Sequence, residues 1–376
     1  MLLSWMCYRV HCVKRFIKPS VSAKVSDRHS VGMASVNENE TVMDRQALSR
    51  NRPVVVIYTA YNDTVIQQLK ERHSDIPYVL VDVQPPGEII KAEVLAILQE
   101  AEIILSDTNL IPPIYTKLKK TKWIQSTWAG IDEFYHHLDF NELPTFTFTR
   151  FGQGIRAAMA EYTIGHIIAH ERSFFDLKSN QEQKIWKRIP YRSLDQITIG
   201  ILGAGDIGEE IARVCKAFNM TTWGLVRRDL PKEERSEHVD VYKKMDGLCD
   251  LLAECDYICS VLPQTPQTDD ILSNDVLSNC TKKPMIINIG RGNIISEDAI
   301  LKALEKGWIS HAVLDVFREE PLPKESPLWS SSKVTISPHS AGHTFSSKLI
   351  TLLEENYDRY INGKPLKFIV DWKQGY

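Results

Sequence analysis

From residue 53 onward the apolar residues fall into two alternating patterns. Short β-branched runs stand at 54–58, 78–81 and 103–105, and between them lie windows at 64–71 and 89–99 whose apolar positions recur at helical spacing. Strand then helix, repeated, predicts a parallel sheet with helices on its faces. A further strand is expected in Trp123-Ile-Gln-Ser-Thr-Trp-Ala-Gly130, which ends in a loop of small residues. The window 155–175, with Ala160, Ile164, Ile167 and Ile168 at helical spacing, predicts one long helix. Before it, Arg150-Phe-Gly-Gln-Gly154 carries two glycines in five residues and reads as a hinge. A second alternating series follows, with strands expected at 197–202, 221–226, 257–262, 285–289, 309–314 and 334–336. One helix in it is well punctuated: Ser296 as N-cap, Glu297 and Asp298 in the positive first turn, and Gly307 closing the end. After Gly342 a last helical window, 344–360, carries the chain beyond this series. Two such series predict an α/β chain of two doubly wound parallel-sheet layers.

Composition narrows the class. A chain of 376 residues that is 43% hydrophobic and 25% charged is globular and about two domains long. With 45 basic against 48 acidic side chains the net charge is −3, so no overall field draws in nucleic acid, and small molecules are the expected partners. No apolar run reaches the ~18 uncharged residues of a spanning helix, so no membrane association is expected. The seven cysteines form no CxxC pair, which fits a reducing compartment such as the cytoplasm, and Cys255 and Cys259 read as core thiols. The first 26 residues differ. Arg9, Lys14, Arg15, Lys18 and Lys24 occur there with no acid before Asp27, a composition similar to a mitochondrial presequence; an extension ahead of a later start at Met33 or Met43 is the alternative. Residues 1–51 are expected to be disordered or removed.

The chemistry is carried by a few segments. Ile199-Gly-Ile-Leu-Gly203-Ala-Gly205-Asp-Ile-Gly208 is a GxGxxG fingerprint directly after an expected strand and before an expected helix. Its first glycine permits the tight turn, the second lets a pyrophosphate approach the backbone, and the third allows close helix packing. Asp206, Ile207 and Gly208 open the helix, whose free N–H groups suit an anion. Three further strands end near an ionisable residue: Met285-Ile-Ile-Asn-Ile-Gly-Arg291-Gly292, Ala312-Val-Leu-Asp315-Val-Phe-Arg-Glu-Glu320-Pro-Leu322 and Thr335-Ile-Ser-Pro-His339-Ser-Ala-Gly342. Ligands of open α/β sheets collect beyond the carboxyl ends of the strands, so these side chains are expected to converge on one crevice. His339 and His343 stand four apart, but Pro338 and Gly342 argue against a helix there, and no metal is expected.

With these motifs in this order, and with Val261-Leu-Pro263-Gln-Thr-Pro-Gln-Thr268 between them, the chain from about 53 to 370 resembles the NAD(P)-dependent D-isomer-specific 2-hydroxyacid dehydrogenases. Gln125-Ser-Thr-Trp-Ala-Gly130 and Ala160-Glu-Tyr162 look most like the glyoxylate and hydroxypyruvate reductase branch. The resemblance implies a Rossmann domain at 151–343 inserted into a discontinuous substrate domain at 53–150 and 344–376, and a homodimer paired through the helix from Ile155. It implies Arg291 as the substrate arginine, Glu320 as the acid paired with the histidine and His339 as the proton donor. Ala129 and Gly130 would cradle the substrate carboxylate through their N–H groups. Gly203, Gly205, Asp206, Ile207, Gly208, Pro263, Thr268, Ile289, Asp315 and Gly342 would line the dinucleotide, Asp315 at the nicotinamide amide. The implied reaction is reduction of a small 2-keto acid to the D-2-hydroxy acid. The rival is a cofactor-sensing, corepressor-like binding protein of the same fold. Formate dehydrogenation is disfavoured by Glu320, where those enzymes carry glutamine.

The choice of nicotinamide departs from the usual pattern. NAD users place an acid about 18 residues beyond the last fingerprint glycine. Here Val226 stands there, followed by Arg227, Arg228 and Asp229. A guanidinium binds a 2′-phosphate through forked contacts, so NADPH is the expected cofactor, with NAD the alternative if Asp229 swings in.

Overall fold

The computed structural model describes residues 52–84, 88–152, 154–373 and 375. The basic leader at 1–51 lies outside the described residues. The first alternating series becomes β1 (Val55–Tyr58), α1 (Asn62–Glu71), β2 (Tyr78–Leu80), α2 (Ala92–Glu100), β3 (Ile103–Ser106), β4 (Trp123–Ser126), α3 (Asp132–Tyr135) and β5 (Thr147–Thr149). Its strands form a five-stranded parallel sheet in the order β2-β1-β3-β4-β5. All four residues of β1, β3 and β4 are buried, as strands covered on both faces must be.

Two helices lead out of this sheet, α4 (Arg156–Glu171) and α5 (Phe174–Glu182). The single helix expected over 155–175 is therefore broken. Arg172 leaves the helical path and Ser173 adopts a left-handed backbone, φ +50°, after which α5 sets off with no buried residue.

The second series becomes β6 (Thr198–Leu202), α6 (Asp206–Ala217), β7 (Thr221–Leu225), β8 (Val241–Lys243), α7 (Leu248–Glu254), β9 (Tyr257–Ser260), β10 (Met285–Asn288), α8 (Glu297–Lys306), β11 (His311–Leu314) and β12 (Val334–Ile336). These strands form a seven-stranded parallel sheet, β12-β11-β10-β9-β6-β7-β8, whose order reverses between β6 and β9. The punctuation of α8 is as expected: the Ser296 side chain accepts from the Ala299 N–H at 3.2 Å, and Gly307 closes the helix at φ +68°. Strands β5 and β8 were not expected; each is three residues long and stands at a sheet edge.

The last helix, α9 (Ser346–Ile361), returns to the first sheet and packs on α1. Inside it the buried Asn356 donates to the Gln125 side chain of β4 at 3.0 Å and accepts from the Lys367 N–H at 2.8 Å. One apolar cluster runs from Val55, Ile57 and Leu105 through Met159 and Ile164 of α4 to Ile199 and Ile287 of the second sheet, with Leu349 and Leu353 of α9 closing it. The chain is thus α/β with two parallel-sheet domains, the second inserted between the first sheet and the helix that returns to it. Among the described residues no helix is long and apolar enough to cross a membrane.

Candidate active site

The fingerprint sits at the switch in strand order, at the carboxyl end of β6, where a crevice opens in sheets of this kind. Each glycine has its own physical reason. Gly203 takes φ +100°, a conformation that L side chains rarely adopt. A Cβ on Gly208 would lie 2.2 Å from the Gly203 carbonyl oxygen, so the opening of α6 packs directly on the turn. A Cβ on Gly205 would meet nothing within 4 Å, which leaves space above the backbone there. The first N–H groups of α6 lack intrahelical acceptors, and a diphosphate fits this cradle. Asp206 Oδ1 pairs with Arg156 at 2.9 Å, while its buried Oδ2 has no partner among the described residues.

The N–H groups of Gly203 and Ala204 both donate to the Leu225 carbonyl, at 3.1 and 3.0 Å, which sets the end of β7 beside the fingerprint. Val226, Arg227 and Arg228 follow at once, and both arginines are exposed. Arg228 pairs with Glu234 at 2.6 Å, and Asp229 pairs with Lys244 at 3.0 Å. The loop after β9 closes on itself, with the Thr268 hydroxyl donating to the Pro263 carbonyl at 2.7 Å. Ile289, buried after β10, ties to the Ser260 carbonyl of β9 at 3.2 Å.

The ionisable residues lie along the same edge. His339 Nδ1 stands 2.8 Å from Glu320 Oε2, and the other Glu320 oxygen accepts the Phe317 N–H at 2.8 Å. This contact with the carboxylate raises the His339 pKa above its ordinary 6.5, outweighing partial burial and the nearby charge of Arg291, which both lower it. Burial pushes Glu320 upward, yet the hydrogen bonds from His339 and Phe317 hold it below the usual carboxylate range. The imidazole is about half exposed, 54% of its side-chain surface, so it faces the opening.

Beneath the histidine lies Asp315, 1% exposed. Its Oδ1 accepts from the Ser337 hydroxyl at 2.5 Å and the Ser340 N–H at 2.8 Å, and its Oδ2 from the Ala341 N–H at 3.0 Å. The His339 N–H donates to the Asp315 carbonyl at 2.8 Å. This net holds the loop with His339 at φ +48°, a left-handed backbone costing about 1–3 kcal/mol outside glycine. Tyr162 of α4 extends the net, its hydroxyl 2.6 Å from Ser337 Oγ. Gly342 closes the loop against α4, where a Cβ would lie 2.9 Å from Met159 Sδ.

The first sheet supplies the opposite wall. Asp107, at the end of β3 and 2% exposed, accepts from Thr59 at 2.5 Å, from the Ala60 N–H at 2.8 Å and from the Thr127 hydroxyl. Thr344 donates to the Thr127 carbonyl at 2.8 Å. The loop continues through Ala129 and Gly130, whose N–H groups donate to no other group among the described residues. Arg291 crosses to this wall: its Nε and Nη2 reach Asp132 Oδ2 at 2.7 and 2.5 Å, and its Nη1 donates to the Gly290 carbonyl at 2.8 Å. A Cβ on Gly130 would lie 1.9 Å from Arg291 Nη2, so only glycine admits the guanidinium.

Arg291, Glu320, His339, Asp315, Ala129 and Gly130 are therefore brought together, with the fingerprint at the same end of the second sheet. Spacing along the chain assigned no role to Asp107, Asp132, Tyr162 or Ser337. Asp107 carried a signal, because it ends a strand just as Asp315 does; Asp132 carried none beyond following Gly130 by two positions. Among the described residues no group of three His, Cys, Asp or Glu side chains is placed to hold a metal ion.

Residues 164–341 match the NAD-binding domain of the D-isomer specific 2-hydroxyacid dehydrogenases. The glyoxylate/hydroxypyruvate reductase A of Salmonella newport (strain SL254) is 29% identical over 266 residues, 69% of this chain and 83% of that protein. The crystal structure of a D-isomer specific 2-hydroxyacid dehydrogenase family protein from Aeromonas salmonicida subsp. salmonicida A449 is 30% identical, with a TM-score of 0.73, over 86% of this chain and all of that one. A probable 2-hydroxyacid dehydrogenase from Rhizobium etli CFN 42, solved with NADP, HEPES and L(+)-tartaric acid, is 26% identical with a TM-score of 0.71 over the same share of each.

Proposed function

Because the chain belongs to the D-isomer specific 2-hydroxyacid dehydrogenase family, we propose that it uses NADPH to reduce a small 2-keto acid, of the glyoxylate or hydroxypyruvate kind, to the D-2-hydroxy acid. The observation that carries this reading is the convergence on one crevice of the His339–Glu320 pair, the Arg291 guanidinium and the unspent N–H groups of Ala129 and Gly130. A 2-keto acid asks for these parts: donors for its carboxylate and a proton for the oxygen that becomes the hydroxyl.

In this reading the Ala129 and Gly130 N–H groups and the Arg291 fork hold the carboxylate, and the positive charge of the guanidinium polarises the adjacent carbonyl. His339, kept protonated by Glu320, gives its proton to the carbonyl oxygen. The nicotinamide, when bound, supplies the hydride. Gly203, Gly205, Asp206, Ile207 and Gly208 would hold its diphosphate, Pro263, Thr268, Ile289 and Gly342 its flanks, and Arg227 with Arg228 its 2′-phosphate. Among the described residues Asp315 Oδ2 accepts from the Ala341 N–H alone and keeps a lone pair for the carboxamide. As for assembly, the exposed Phe174, Phe175 and Leu177 of α5 and the fully exposed Trp186 beyond it continue from α4, the helix expected to pair. A second copy of the chain is the proposed cover.

A screen of glyoxylate, hydroxypyruvate, pyruvate and longer branched or aromatic 2-keto acids with both reduced nicotinamides tests the reading. The expected result is turnover of a small 2-keto acid with kcat/KM higher for NADPH than NADH, and replacing Arg227 and Arg228 by alanine should cut that preference roughly 10- to 150-fold. Cofactor binding without turnover of any 2-keto acid would give the protein to the sensing, corepressor-like class.

The rate of reduction should also follow His339. Reduction needs the imidazolium, so kcat/KM holds at low pH and falls as pH rises through the raised pKa. Glu320→Gln removes the charge that holds the proton and should move this falling limb to lower pH; a limb that stays in place takes Glu320 out of the mechanism. Sedimentation velocity should find a dimer, and Phe175→Glu combined with Trp186→Ala should shift it toward monomer. A monomeric parent protein refutes the pairing.

A further inference from the structure

The five N–H donors of a guanidinium lie on distinct edges of one plane. In Arg291 the side edge, Nε with the adjacent Nη2 hydrogen, is spent on Asp132 Oδ2, and Nη1 donates to the Gly290 carbonyl. What remains is the end edge, one N–H each on Nη1 and Nη2, parallel and spaced for the two oxygens of a carboxylate. Nη2 lies against Gly130, next to the two unspent backbone N–H groups. Asp132 and Arg291 come from opposite walls and are both largely shielded, with 18% and 27% of their side-chain surfaces exposed. Their contact joins residues 159 positions apart.

We propose that Asp132 is the positioning residue of the substrate site: it occupies the side edge of Arg291, so the guanidinium meets the 2-keto acid end-on, beside Ala129 and Gly130. This rests on the reading of the site as a 2-keto acid reductase. Without an acceptor at 132 the long arginine side chain is free to turn its side edge inward, and the bidentate fit to the carboxylate is lost. Asp132 also sets a negative charge beside Arg291, whose own charge acts against protonation of His339. It therefore has two separable effects, one of geometry on carboxylate binding and one of charge on the histidine.

Asp132→Ala and Asp132→Asn separate them. The alanine removes both acceptor and charge; the asparagine removes the charge but keeps a carbonyl oxygen that Nε and Nη2 can share. Asp132→Ala should raise KM for the 2-keto acid, and the Kd of oxamate measured by calorimetry with NADPH present, about 10-fold or more, with kcat changed by less than about 3-fold. Asp132→Asn should recover most of that affinity. In both variants the falling pH limb should move to lower pH, a shift that a merely structural role would not produce. Should the alanine variant fail to fold, Asp132→Ser, too short to reach Nε, takes its place. If KM and the oxamate Kd stay level or fall on truncation, or if the asparagine binds as weakly as the alanine, the proposal is overturned. A parent protein that neither turns over a 2-keto acid nor binds oxamate overturns the functional reading beneath it; an active parent with an unaffected truncation overturns this proposal alone.

Discussion

Two buried aspartates, each just beyond the carboxyl end of an interior strand, hold the walls of the crevice. Asp107 follows β3 and Asp315 follows β11, and neither exposes more than 2% of its surface. A carboxylate taken out of water must be hydrogen-bonded, and leaving a buried polar group unpaired costs about 1–3 kcal/mol or more. Each aspartate meets that demand with side-chain hydroxyls and backbone N–H groups from loops beyond neighbouring strands. Asp107 thereby sets the Thr127 end of the loop that runs to Ala129 and Gly130, and Asp315 sets the loop that carries His339. The positions of these two loops follow from two carboxylates satisfying their own hydrogen bonds.

On that scaffold the charges are arranged in pairs. Glu320 holds His339, and Asp132 holds Arg291, so each cation has its own acid. The pairs differ in what they regulate. The first sets how readily a proton is held, and the second sets which edge of a fork is presented. A ligand with one carboxylate and one carbonyl beside it can use both at once, which a carboxylate alone or a simple ketone cannot.

The fold was largely legible in the chain because its rules are local. The alternation of β-branched runs and helical windows located most strands within one to three residues, and the three glycines at 203, 205 and 208 have separate steric reasons visible in their spacing. The rule that ligands gather beyond parallel strands brought Arg291, Glu320 and His339 together correctly. Among the features that escaped, two did so for non-local reasons. The left turn at Ser173 breaks a helix whose apolar spacing runs on unchanged, and α5 buries none of its residues against the described part of the chain. Asp132 draws its meaning from an arginine on the other sheet, and no periodicity links the two.

The most direct measurement is a crystal structure of the protein with NADPH and oxamate. The account predicts the oxamate carboxylate between the end edge of Arg291 and the N–H groups of Ala129 and Gly130, with its amide carbonyl oxygen toward His339. Oxamate bound away from these groups, or its carboxylate facing His339 with Arg291 turned elsewhere, would contradict it.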